Sequence, residues 1–381
     1  SFIAMRGKLY PVPEGFHLLA PSRLWPILVS PLLSLSGKWR MLQEFRIRPS
    51  GLDDETLGSF VRRRLGQEVL DRLAQPLVAG IFGAEPDQLS LRSTFPNFLE
   101  LEKHGSLIRG MMAKAAAATG KASGARYSLF VTLKNGLQSL SDRLAERLGP
   151  SSIRTGIQIQ SMTPASWEGV PGWRLQLSNG ETLDAEAVCL AVPSFAAARL
   201  LQPVDAELAS DLSAIPYGDS LTAHFAFPAK AIRDPLNGVG LVVPAVEKRV
   251  LGACTFVHRK FAGRCPGDVA LLRAFAGGSS ARALLRHSDH EITDKLLKDL
   301  KELLGISAAP IFTTLSRYPS ALPHYTLGHG DRVRRIEDRA ARLQGLALAG
   351  NWQGGVGIPD SIESGEAAAS SLIIQICKNY G

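Results

Sequence analysis

Apolar and polar residues alternate along this chain with two periods, and each change of period marks an element. Leu57, Phe60, Val61 and Leu65 fall on one helical face behind Asp53 or Asp54 as cap, and Arg62-Arg-Arg64 lies on the way. Val69, Leu70 and Leu73 continue that face until Pro76, so Pro76 to Ser90 reads as turn-rich, as does Thr94-Phe-Pro96. Small and basic residues predict a flexible loop from Gly120 to Tyr127, and Leu137, Leu140, Leu144 and Leu148 predict a helix after it. Strands are expected at Ile153 to Met162 and Trp173 to Leu177, a turn at Ser178-Asn-Gly-Glu181, and a buried strand at Ala187 to Val192. More follow at Leu221 to Phe227, Gly240 to Val243, Val250 to Phe256 and Val269 to Phe275, antiparallel because short turns separate them. Ser288 caps a helix to Leu304 that turns Ile292, Leu296, Leu300 and Leu303 inward. At the front, Phe2 to Tyr10 reads as a strand with a hairpin or turn at Arg6-Gly7-Lys8, and its start without an initiator Met reads as a truncation.

The most specific pattern is the last. Leu346 to Ala349 reads as a short strand, Gly350, Gly354, Gly355 and Gly357 allow a ligand to approach the backbone, and Pro359 with Asp360 or Ser361 opens a helix. Ala369, Leu372, Ile373 and Ile376 give that helix one buried stripe. Its N-terminal amides favour negative charge in whatever fills the turn, such as a cofactor phosphate or a reduced flavin ring.

Composition narrows the class. The chain has 381 residues, 43 Lys plus Arg against 35 Asp plus Glu, and a net charge of +8, with a pI near 9.4. An anionic partner follows: acidic lipid or a polycarboxylate substrate, and no nucleic-acid module is present. Cys189, Cys254, Cys265 and Cys377 show no metal spacing and read as free thiols in a reducing compartment. The apolar run Leu24 to Leu35 is proline-broken and shorter than the roughly 20 residues a membrane span needs. Gly37 to Arg48 mixes bulky apolar and basic residues at helical spacing, which suits either a membrane interface with Lys38, Arg40, Arg46 and Arg48 at headgroups or a core-packed helix. There is no nucleophile elbow, no zinc motif and no Walker loop, and His287 and His290 read as solvated caps. A cofactor that carries the chemistry itself needs none of these.

The string Ala349-Gly-Asn through Gly357, Ser364-Gly and Ala367-Ala resembles the C-terminal flavin-binding signature of the protoporphyrinogen oxidase family, within the wider monoamine oxidase and phytoene desaturase superfamily. Phe60-Val-Arg-Arg-Arg-Leu-Gly66 and Pro76-Leu-Val-Ala-Gly-Ile81 resemble the same family in the same order. The resemblance implies an α/β fold: a Rossmann-like FAD-binding domain, an interleaved α+β substrate domain and a helical membrane-binding domain. Residues 1–110 would be helical and membrane-binding with the start of the substrate domain, 126–200 and 328–381 would bind FAD, and 111–125 with 201–327 would bind substrate. FAD would contact Ile159, Gly350, Asn351, Gly355, Val356, Gly357 and Ile358, Ile159 holding adenine through its backbone. Phe275 would stack on the macrocycle, Val242 and Cys254 would sandwich its opposite ring, and Gly80 and Gly83 would line the pocket. Arg6 is the nearest candidate for a substrate carboxylate, since the family's usual arginine would precede Ser1.

The implied reaction is six-electron oxidation of a porphyrinogen in tetrapyrrole synthesis, with hydride passing to the flavin, O2 as acceptor, no metal and no separate catalytic residue. Peripheral attachment to the inner, cytoplasmic face of the cell membrane is implied, with ferrochelatase or a second copy as partner. No Gly-x-Gly-x-x-Gly follows a strand, so the family's opening βαβ unit has no counterpart in these residues. The rival readings are a coproporphyrinogen III oxidase, an amine oxidase or carotenoid desaturase on the same scaffold, and a non-catalytic membrane-associated fragment. An amine oxidase would need an aromatic cage, which Trp352 alone does not supply.

Overall fold

The structure is a computed structural model that describes residues 1–103, 105–119, 131–233 and 237–380. The loop expected over Gly120 to Tyr127 lies outside them. Among the described residues, twelve strands of three or more residues carry the architecture: β1 (Phe2–Met5), β2 (Lys8–Pro11), β3 (Ile159–Trp167), β4 (Val170–Leu177), β5 (Thr182–Ala185), β6 (Val188–Leu190), β7 (Tyr217–Pro228), β8 (Gly240–Val242), β9 (Ala253–Phe256), β10 (Val269–Gly277), β11 (Phe312–Pro323) and β12 (Leu346–Leu348). Seven form one sheet in the order β11-β7-β10-β9-β8-β1-β2. All its pairs are antiparallel except β1 with β8. β3, β4 and β5 make a small meander, and β12 pairs in parallel with β6. This mixture of a large sheet, a parallel pair and many helices is the α/β class expected.

Local chemistry explains several joints. Arg6 and Gly7 both have positive φ, 53° and 71°, so the β1–β2 hairpin closes through the two-residue turn whose twist matches its strands. Ser288 and Glu291 form the capping box that starts the helix Asp289–Leu304. The helix Leu57–Leu65 is capped by Thr56 rather than by Asp53 or Asp54. Asp54 instead accepts from the Ser90 hydroxyl at 2.7 Å and the Arg92 amide at 3.0 Å, tying two loops together.

Pro76 does not stop the helical run. It opens the helix Gln75–Phe82, directly after a π-helical turn at Leu70–Ala74. The wide turn is where a residue lacking an N–H is accommodated, and Pro76 is buried there.

Three cores form. One gathers Ile3, Leu19, Ile27, Phe60, Leu65, Val78, Phe82 and Tyr325 under the N-terminal helices. A second packs Leu221, Phe225, Leu272 and Ala274 of the large sheet on Ile292, Leu296 and Leu300. The third joins Trp173, Leu190, Leu208, Leu212, Ile336, Leu348 and Trp352. Leu208 and Leu212, expected with the substrate sheet, therefore pack beside the parallel pair.

Candidate active site

Strand β10 alternates strictly between half-buried and buried side chains. Its register puts Phe275 opposite Thr222 and Ala253, with Val242 next in the same row. Arg273 opposes His224 and Thr255 one step along. These half-buried residues share the sheet face that does not pack on the helix Asp289–Leu304. Cys254 lies on the other face: it pairs with Ala274 and Leu241 and is buried in the second core. Side chains alternate along a strand, so Ala253, not Cys254, stands beside Phe275.

The end of the helix Gln75–Phe82 closes one end of this face. Gly83 takes a left-handed φ of 60° as its cap, and a Cβ on Gly277 or Gly278 would lie 3.5 Å from the Gly83 Cα and 3.3 Å from its carbonyl oxygen. Gly80, one turn back, faces open space. The Gly83 cap thus touches the end of the strand that carries Phe275, and the helix that carries Gly80 runs near β8, which carries Val242. Arg6 sits in the exposed hairpin turn, where its amide donates to Glu247 at 2.9 Å.

The glycine turn runs from β12 to the helix Ile358–Tyr380. It lies at the carboxyl end of the parallel pair β6–β12, the position at which open α/β sheets bind cofactors. Gly350 has φ 153° and donates its N–H to the Ser364 hydroxyl at 2.9 Å. Asp360 folds back over Gly355 and accepts the Gly357 N–H at 3.0 Å, so part of the helix N-terminal donor set is already engaged. Gly354 faces open space, where any side chain would intrude. Val356 packs against the N-terminal core that also holds Val242, which links turn and sheet face. The stripe of the last helix differs from expectation: Ala368 and Leu372 are buried, while Ala369 and Ile373 are exposed. Ile159 opens β3 beside a register irregularity, pairs with Leu177 and is 37% exposed, so its side chain is free of the core.

The turn fits a flat aromatic cofactor on two observations. Gly354 faces open space, although Asp360 already lies over Gly355 and Gly357 and Trp352 over Gly350, and the Ser194 hydroxyl and Trp352 indole N–H are buried without hydrogen-bond partners. FAD would be held by the backbone of Gly350 to Ile358, with Ile159 at its adenine end.

Sequence reasoning missed a support beneath this turn. Tyr325 stacks on His329 with centroids 4.2 Å apart and planes at 12°. The Tyr325 hydroxyl donates to the Asn351 carbonyl, and its ring also meets Phe82 edge-on. Burial raises the Tyr325 phenol above its ordinary value and lowers the His329 imidazole to about 4. Arg273 was also overlooked. Its guanidinium lies over the Phe275 ring with Cζ 4.8 Å from the centroid, burial lowers its pKa, and it in turn adds to the burial that depresses His224. The signal was present, since two residues spaced by one on a strand share a face.

On the N-terminal side, Arg40 points inward. It donates to the Arg62 and Arg63 carbonyls at 3.2 and 2.7 Å, satisfying the end of the helix Leu57–Leu65. Trp25, Val29, Leu35 and Trp39 are exposed close to Lys38 in sequence. Among the described residues no helix is long and apolar enough to cross a membrane.

Comparison with known proteins places this geometry. Residues 2–373 match the model of the flavin containing amine oxidoreductases. The chain is 32% identical over 377 residues to a coproporphyrinogen III oxidase of Bacillus subtilis (strain 168), covering 98% of this chain and 79% of that protein. It is 28% identical over 414 residues to protoporphyrinogen oxidase 2 of Arabidopsis thaliana, covering 100% of this chain and 80% of that one. A crystal structure from Exiguobacterium sp. 255-15, provisionally assigned as a protoporphyrinogen oxidase, superposes with a TM-score of 0.81 at 29% identity, over 98% of this chain and 80% of that chain. Cyclohexylamine oxidase from Brevibacterium oxydans IH-35A shares the fold, with a TM-score of 0.65 at 16% identity.

Proposed function

The chain belongs to the flavin containing amine oxidoreductase family, and from that premise we propose that it oxidises a porphyrinogen to a porphyrin in haem synthesis, with FAD as cofactor and O2 as final acceptor. FAD supplies the two-electron acceptor, so three turnovers remove the six electrons and six hydrogens. The chain supplies binding and orientation: the Phe275 row offers an apolar face, and the bare glycine turn and helix end at Gly80 to Gly83 bound it. The observation that carries this reading is the match over nearly the whole chain to porphyrinogen oxidases at 28–32% identity, whereas the amine oxidase likeness is one of fold. Trp352 is buried in the third core and does not face a substrate, which counts against an amine cage.

Residues 1–110 are read as the membrane-facing part, with Trp25, Val29, Leu35 and Trp39 as an interfacial patch beside Lys38 on an anionic inner leaflet. The decisive experiment incubates the purified chain with FAD and compares porphyrinogen with putrescine. Growth of porphyrin fluorescence above the air-oxidation blank is expected. Flavin reduction by putrescine alone would refute the proposal, and flotation on phosphatidylserine vesicles, weakening with salt, tests the membrane patch.

A further inference from the structure

Resting on the porphyrinogen reading above, we infer that Arg273 is a carboxylate anchor of the substrate face and that it favours a macrocycle with four carboxylates over one with two. Arg273 forms no ion pair with any described residue, and its Nε is buried without a partner. Arg249 meets Asp299 and Glu302, Arg317 meets Asp289, and Arg339 meets Asp205, whereas Arg332, which also lacks an ion pair among the described residues, lies on the helix His329–Ala340 away from this sheet face. Arg273 has Phe275 beneath it, His224 opposite on β7 and Tyr318 nearby on β11. Along the rows described, Thr222, His224, Val242, Ala253, Thr255 and Ser316 supply no carboxylate. A half-buried guanidinium among such neighbours attracts an anion strongly, because little water competes and the planar fork matches a carboxylate.

Position selects the class of anion. Arg273 and Phe275 stand two residues apart on one strand face, roughly 7 Å along the backbone. A macrocycle resting on Phe275 carries its acid side chains at its rim, within reach of a long side chain at that spacing. Protoporphyrinogen has two such acids and coproporphyrinogen four. A cation on a face without carboxylates therefore rewards the tetra-acid.

The test titrates the purified chain with coproporphyrin III and protoporphyrin IX, the stable oxidised forms, and follows porphyrin fluorescence. Arg273→Met is expected to weaken coproporphyrin binding by about tenfold or more, the range for a lost charge-assisted hydrogen bond, and protoporphyrin binding by less than about threefold. Arg273→Lys keeps the charge without the fork and is expected to fall between, which guards against a folding defect in Arg273→Met. Equal losses for both porphyrins, or no loss, would overturn the inference. A wild-type chain that binds neither porphyrin would instead overturn the porphyrinogen reading itself.

Discussion

The N-terminal helices and the last helices use similar leucine-rich patterns and reach opposite outcomes. In the helix Leu57–Leu65, Leu57, Phe60, Val61 and Leu65 are all fully buried. In the helix Gln138–Leu148 no residue is buried, and Leu144 and Leu148 are 56% and 62% exposed. The helix Ile358–Tyr380 likewise exposes Ile362, Ile373 and Ile374. The parallel pair β6–β12 beside them has three residues per strand, no third strand among the described residues, and Cys189 exposed on β6. Parallel strands are ordinarily covered on both faces. The lesson is that amphipathic pattern fixes a helix but not the partner for its face. About a fifth of the Bacillus subtilis relative's length lies outside the match.

Charge follows the same division, and it yields the largest expected effect. Glu44 and Arg64 are fully buried and 2.5 Å apart. Glu44 also accepts from the Ser106 hydroxyl and the Leu107 amide, both at 2.6 Å. Glu44→Gln removes the nearer counter-charge of the buried Arg64, leaving only Glu102 at 3.7 Å, and is expected to lower stability by about 3 kcal/mol, read as a shift in the urea midpoint. A loss below about 1 kcal/mol would show that the two regions differ less than their burial implies.

The junction between the regions gives the next effect. His329 is 1% exposed, and burial holds its imidazole at about 4 against 6.5 for the free side chain. The unfolded chain takes up the proton first as pH falls. Stability is therefore full above about 6.5, declines toward 4, and is insensitive to this group below that. The span is on the order of 3 kcal/mol. Arg332, which also disfavours the charged ring, and the backbone of Trp352 and Gln353 face the same imidazole. Replacing His329→Phe is expected to flatten the stability profile across this window, and an unchanged slope would contradict the burial argument.

Tyr325→Phe removes the bond to the Asn351 carbonyl and the hydroxyl's contact with the Gly355 amide. A loss of about 1 kcal/mol and a roughly fivefold weaker hold on FAD are expected in denaturation and flavin titration. The smallest effect belongs to the open side. Arg143 and Glu146 are 65% and 67% exposed, so Glu146→Gln is expected to change stability by less than about 0.5 kcal/mol.

Much of the fold was legible where one face of an element is buried and the other is not. β10 and the helix Asp289–Leu304 show that alternation and fell where expected. β11 did not: its twelve residues carry Pro319 and Pro323 and stay mostly exposed, as befits an edge strand, so no period-two apolar signal existed. At the site, the strand, glycine turn and helix start were readable through their string, and Val242 and Phe275 as strand positions. Cys254 was misplaced because strand parity depends on register, which one sequence does not state.

The sequence by itself determined the class of fold, the glycine turn between β12 and the last helix, and the helical and strand periods, because these depend on local spacing and backbone freedom. Only the tertiary structure decided which face of β10 turns away from the helix Asp289–Leu304, that Tyr325 and His329 support the turn, and that Arg40 caps a helix instead of facing outward. Those depend on contacts between residues distant in the chain, and local pattern carries no information about which distant surface fills the space opposite.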